Sequence, residues 1–143
     1  MEILNRKAKQ KYEFLEFYTC GIVLMGTEIK SIREGKVSFT DTYCYFNDNQ
    51  LLIKNLHISE YEFGTYNNHD PKRDKILLLT KKELRKIKEK VSEKGLTIIP
   101  TKLFISDNGW AKIDIAISKG KKDYDKRNQL KEDDLKREMK EIY

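Results

Sequence analysis

Apolar patterning stops at Ser118. Up to that residue, apolar side chains recur in short blocks of strand or helix length. From Gly120 the chain reads Gly-Lys-Lys-Asp-Tyr-Asp-Lys-Arg and then runs sixteen further residues with few apolar positions. A core therefore has to close before Ser118. The blocks are also too short to span a bilayer: the longest apolar runs, 21–26 and 76–79, fall far below about 20 residues. With 143 residues, the chain suggests one domain plus an appendage. We expect a domain over 1–122, large enough to need neither metal nor disulfide, and a C-terminal tail over 123–143, read as basic.

The blocks have recognisable periods. Residues 12–24 are rich in aromatic and β-branched side chains and lack Pro, as in a long strand, with Gly21 as the expected bulge or bend. Over 27–34 the period changes. Ile29 and Ile32 lie three apart and Gly35 follows as a left-handed stop, which predicts a short helix. Residues 38–46 and 50–56 are strand-like around the turn sequence Asn47-Asp48-Asn49. A polar loop over 59–75 leads to a short apolar strand at 76–79. Thr80-Lys81-Lys82-Glu83 has the capping-box pattern, Leu84, Ile87 and Val91 share one helical face, and Gly95 ends that helix. Residues 96–106 read as a strand in which Pro100 requires an edge or a bulge. Asp107-Asn108-Gly109 is a hairpin turn, and 110–118 is the return strand, alternating Ala111, Ile113, Ile115 and Ile117. Six strands joined mostly by hairpins predict a mainly β, antiparallel sheet. Closing it into a small barrel removes its exposed edges.

Charge and chemistry narrow the function. The net charge of +6 favours nucleic acid or an anionic membrane as partner, and the N-terminus lacks the apolar stretch of a signal peptide. Cys20 and Cys44 have no zinc-site spacing; we expect them reduced and buried, in a cytoplasmic protein. His57 and His69 add no metal-ligand pattern. Glu28-Ile29-Lys30 matches part of a metal-dependent nuclease site, but no Asp precedes Asp41 to complete it. Catalysis, metal and cofactor are therefore not expected. Arg6, Lys7, Lys9 and Lys11 form a basic lead-in. Tyr61, Phe63, Tyr66 and His69 with Lys72 and Arg73 suit unpaired RNA bases, although Tyr61 and Phe63 equally suit a cap on the barrel's open end. Residues 128–142 have high helix propensity, with Glu132–Lys136 and Asp133–Arg137 spaced i,i+4 and Leu135, Met139 and Ile142 on one face. A helix this short is marginal alone. The expectation is an arm disordered when free and helical when docked, or one packed back through Leu135 and Met139.

Ten short motifs then occur in order: Asn5-Arg6-Lys7-Ala8, Gly26-Thr27-Glu28-Ile29-Lys30-Ser31-Ile32-Arg33, Gly35-Lys36, Asp41-Thr42-Tyr43, His57-Ile58-Ser59, Asn68-His69-Asp70-Pro71, Leu77-Leu78-Leu79, Lys94-Gly95-Leu96-Thr97, Gly120-Lys121-Lys122 and Tyr124-Asp125-Lys126-Arg127. Together they resemble the SsrA-binding proteins (small protein B, SmpB), partners of bacterial transfer-messenger RNA. The resemblance implies a six-stranded barrel of the oligonucleotide-binding type with two or three short helices. It implies a non-enzyme that binds the tRNA-like domain of that RNA and delivers it to stalled ribosomes for trans-translation. RNA contact is implied for Asn5, Arg6, Lys7, Glu28, Lys30, Arg33, Lys36, His69, Arg73 and Leu77. Entry into the ribosomal decoding site and mRNA channel is implied for Lys121, Lys122, Tyr124, Asp125, Lys126, Arg127, Lys131, Lys136 and Arg137. The further implied partners are elongation factor Tu and alanyl-tRNA synthetase, reached through the RNA by a monomeric protein. The chain departs from the pattern at Thr19, where many relatives carry Glu, at Lys75-Ile76, where Arg-Lys is common, and at Asp133, often basic. A general RNA-binding barrel of ribosome assembly or initiation would explain the charge and strands but not the ordered motifs.

Overall fold

The computed structural model describes residues 1–64, 66–92 and 95–121. Through them run β1 (Glu2–Leu4), α1 (Ala8–Lys11), β2 (Tyr12–Ile22), α2 (Gly26–Arg33), β3 (Val37–Ser38), β4 (Tyr43–Asn47), β5 (Gln50–Lys54), β6 (His57–Ile58), β7 (Lys75–Leu78), α3 (Lys81–Val91), β8 (Leu96–Ile105) and β9 (Ala111–Gly120). Six strands form a ring. In hydrogen-bonded order β8, β4, β5, β7, β2 and β9 follow one another, and β9 returns to β8. Every pairing is antiparallel. These are the six strands that hydrophobic alternation and turn chemistry predict.

The additional strands are short. β1 lies along β8, Glu2 opposite Phe104 and Leu4 opposite Lys102, and β3 pairs β6 as a separate ribbon. The strand expected over 38–46 divides into β3 and β4, because Asp41 turns the chain at φ +56°. The expected bulge at Gly21 lies elsewhere: the register of β2 against β9 slips between Phe14 and Glu16. That slip turns Glu16, Tyr18 and Cys20 toward Ile117, Ile115 and Ile113. Gly21 marks a close approach instead. It pairs with Leu78 on one side and Lys112 on the other, and a Cβ there would come within 3.3 Å of the Leu78 Cβ. The bulge expected at Pro100 is present between Pro100 and Lys102. Past it, β8 exchanges its outer partner β4 for β1.

The barrel interior is aliphatic. Leu51, Ile53, Leu103, Ile113 and Ile115 are fully buried, with Leu77, Ile98 and Ile117 beside them. Each such side chain contributes about 1.5–3 kcal/mol by leaving water. Cys20 and Cys44 are buried, unpaired thiols in the same core. Burial pushes Cys20 up to about 12 and Cys44 well above the ordinary thiol range, so both pack as small apolar groups rather than as nucleophiles. α3 begins at the predicted capping box: Thr80 Oγ1 accepts from the Glu83 N–H at 3.2 Å, and Glu83 Oε1 accepts from the Thr80 N–H at 3.1 Å. Ile87 of α3 and Ile32 of α2 enter the core. α2 ends at Gly35, whose φ of +74° lets the Lys36 N–H return to Ser31 O at 3.1 Å.

Among the described residues no helix is long and apolar enough to cross a membrane. Lys122, Tyr124, Asp125, Lys126, Arg127, Lys131, Lys136 and Arg137 lie outside them. Residues 123–143 carry six Lys and Arg against seven Asp and Glu, so this segment is not basic. The positive excess at this end of the chain sits at Lys119, Lys121 and Lys122.

Candidate nucleic-acid interface

The lead-in is fastened across the β8 bulge. The Asn5 N–H donates to Thr101 O at 2.9 Å and Asn5 Nδ2 to Pro100 O at 2.8 Å. Asn5 therefore spends its amide on holding the backbone, while Arg6 and Lys7 beside it are exposed. Between this segment and residues 37–43 lies a groove of about 890 Å³. Arg6, Lys7 and Lys11 line one bank, Ser38, Thr40, Asp41 and Tyr43 the other, and Thr97 and Ile99 of β8 lie beneath. A smaller hollow of about 420 Å³ shares Ser38, Thr40, Asp41 and Asn55 and adds His57 and Lys72.

α2 and the turn after it carry the next cations. Lys30, Arg33 and Lys36 are exposed. Lys30 Nζ lies 5.3 Å from the centroid of the Tyr61 ring, and Tyr61 meets Phe63 edge-on at 5.6 Å. Phe63 and Tyr66 project into solvent. Lys36 is partly neutralised by Glu34 at 3.2 Å.

Three residues expected to meet RNA are instead interior. Leu77 belongs to the barrel core, opposite Leu51 and Ile22. Glu28, fully buried, accepts from the Met25 N–H at 2.7 Å and from Arg73 Nη2 at 2.6 Å, and its second oxygen faces Lys75 Nζ at 3.8 Å. His69, also buried, bridges α2 and β6. Its Nε2 donates to Ile58 O at 2.8 Å, so its Nδ1 accepts from the Thr27 hydroxyl at 2.8 Å. No Glu28, His69 or Leu77 side chain reaches the surface. The first two brace α2 against residues 57–75 and so place Lys30 and Arg33. Arg73 is divided between the roles, one face on Glu28 and part of its side chain in solvent.

Sequence reasoning noted Lys75 only as a departure from the family pattern and missed its place beside Glu28. Its ammonium is fully buried and donates to Leu56 O at 2.9 Å and Arg73 O at 2.6 Å. Burial, opposed by the Glu28 carboxylate, lowers it from 10.5 to about 8. The folded state therefore sheds this proton before the unfolded chain does, and stability rises with pH between about 8 and 10.5. From pH 7.5 to 10 the wild type should gain about 2 kcal/mol over Lys75→Arg, whose guanidinium stays charged throughout. Denaturant titrations of both proteins at the two pH values check this; equal changes would refute it.

The family model described as SmpB protein matches residues 2–143. The chain belongs to the SmpB family. An SsrA-binding protein of Phocaeicola vulgatus is 54% identical over 143 residues, spanning 100% of this chain and 95% of its own. One of Thermus thermophilus is 46% identical over 138 residues, 96% of each. A solved chain described by the words "tmRNA-SmpB: a journey to the center of the bacterial ribosome" superposes with a TM-score of 0.73 at 47% identity, over 85% of each chain.

Proposed function

We propose that this protein binds the tRNA-like domain of transfer-messenger RNA and delivers it to stalled ribosomes for trans-translation. The observation that carries this reading is the match to SsrA-binding proteins from end to end at about half identity. The body holds the RNA through phosphate contacts from Arg6, Lys7, Lys30, Arg33, Lys36 and Arg73, with Asn5, Glu28 and His69 positioning them. Lys121, held to Lys9 and Lys11, roots the arm on the body, and the segment from Lys122 through Arg137 enters the vacant decoding site and mRNA channel. Elongation factor Tu and alanyl-tRNA synthetase are met only through the RNA. The protein acts as a cytoplasmic monomer and catalyses no reaction.

The direct test is a purified translation system stalled on a message lacking a stop codon. Tagged nascent chains should form only when this protein and the RNA are both added; tagging without the protein defeats the proposal. The phosphate contacts have their own signature. Each one releases counterions, so affinity falls steeply with salt. Arg6→Ala with Lys7→Ala should reduce the slope of log affinity against log salt by about 2. An unchanged slope in a filter-binding series would remove these two cations from the interface.

A further inference from the structure

We propose that the groove beside the lead-in holds one unpaired guanine of the RNA partner, read on its Watson–Crick edge by the Asp41 carboxylate. The inference rests on the RNA-binding reading above and supplies a base-specific contact that phosphate attraction cannot.

Among the described residues Asp41 is the one acidic side chain lining either hollow, and it lines both. Cations line both: Arg6, Lys7 and Lys11 in the larger, Lys72 in the smaller. Yet among the described residues no Lys or Arg nitrogen lies within 4.0 Å of the Asp41 carboxylate. It is exposed, and its one hydrogen bond to a side chain among the described residues is made by its backbone carbonyl.

Its position is set by the backbone. Asp41 at φ +56° and Asn55 at φ +65° are both in the left-handed region. They are clipped to each other: Asn55 Nδ2 donates to Asp41 O at 3.2 Å, and the Thr42 hydroxyl donates to Asn55 O at 3.1 Å. Such conformations persist where the surroundings over-determine them. Here the clip holds Asp41 where it lines both hollows, each of which also has a cation in its wall.

A carboxylate repels phosphate, so in an RNA site it must meet hydrogen-bond donors. Guanine alone among the four bases offers two adjacent N–H donors on one edge, from ring N1 and the exocyclic 2-amino group. These match the two carboxylate oxygens. Adenine and cytosine offer a single amine there, and uracil a single ring N–H. The Tyr43 ring, partly exposed on the same bank, supplies a stacking face. Arg6 and Lys7 opposite are placed for the flanking phosphates. The volume of about 890 Å³ lies within the range of ligand sites.

The test uses the full-length protein and a transcript of the tRNA-like domain in which each unpaired guanosine is replaced in turn by inosine, which lacks the 2-amino group. Asp41→Asn removes the second acceptor oxygen yet keeps a residue type that tolerates positive φ. Asp41→Gly removes the whole side chain without backbone strain and serves if the first variant melts early. At fixed salt, one inosine position should weaken wild-type binding about tenfold. Asp41→Asn should lose about tenfold on the unsubstituted RNA and show no further loss at that position. Wild-type affinity in Asp41→Asn and Asp41→Gly overturns the proposal, as does inosine weakening wild type and variant equally at every position. If the wild-type protein does not prefer this RNA over ordinary tRNA, the RNA-partner reading itself falls, and this inference with it.

Discussion

Deleting residues 123–143 is expected to abolish nascent-chain tagging on stalled ribosomes while leaving affinity for transfer-messenger RNA unchanged. The body is fastened before the cut. Gly120 pairs with Tyr12, the Lys121 N–H donates to Lys11 O at 2.9 Å, and Lys121 Nζ donates to Lys9 O at 2.7 Å. β9 thus keeps both neighbours, β2 and β8, when the tail is gone. Charge points the same way. The deleted segment carries one more acid than base, so its loss does not weaken the body's attraction for phosphate. RNA affinity and tagging should therefore separate. Replacing Asp125, Lys126 and Arg127 together should reproduce most of the tagging defect. The measurements are RNA binding by fluorescence anisotropy and tag incorporation in the stalled system. A truncated protein that still supports tagging would end the decoding-site role; one that loses RNA affinity would place RNA contacts in the tail.

How much of this was legible beforehand depended on the range of the interactions. The six ring strands follow from local signals: alternating Ile113, Ile115 and Ile117, the Asp107-Asn108-Gly109 turn, and Pro100 at its bulge. The Thr80–Glu83 box is likewise contained in four residues. β1, β3 and β6 span two or three residues each, too few to show a period, and Ile3 finds its partner only at Leu103. The slip at Phe14 and Glu16 carries no Gly or Pro to announce it. In the candidate site, the resemblance named Glu28, His69 and Arg73 as RNA contacts but not which of them face solvent. Glu28 on a polar helix and Lys75 after Asp74 look solvated until residues 45 apart in sequence meet. The Asp41 turn was hidden because Asp, unlike Gly, adopts positive φ without advertising it.

Glu28→Ala is expected to lower the melting midpoint by about 10–25 °C and to weaken RNA binding, although Glu28 touches no solvent. The substitution takes the acceptor from the Met25 N–H, leaves Arg73 Nη2 only its 3.3 Å contact to Val23 O, and removes the counter-charge of the fully buried Lys75 ammonium, which keeps its two carbonyl acceptors. Removing one partner of a buried ion pair costs about 3–5 kcal/mol, because the remaining charge stays desolvated. In a domain of this size each kcal/mol moves the midpoint by roughly 3–5 °C. The damage is directional. α2 is tied to the 57–75 region through Glu28 and through the Thr27–His69–Ile58 chain, so losing the first tie frees the helix that carries Lys30 and Arg33. Glu28→Gln keeps an oxygen for the Met25 N–H and Arg73 and should recover part of both effects. Glu28→Gln with Lys75→Met removes the orphaned charge together with its partner. It should therefore be more stable than the sum of its single changes, a coupling that a double-mutant cycle measures directly. A simple RNA ligand at position 28 would behave otherwise: Glu28→Ala would melt with the wild type and lose only affinity. Thermal melts of the wild type, Glu28→Ala, Glu28→Gln, Lys75→Met and the double variant, read beside their RNA isotherms, distinguish a brace from a contact.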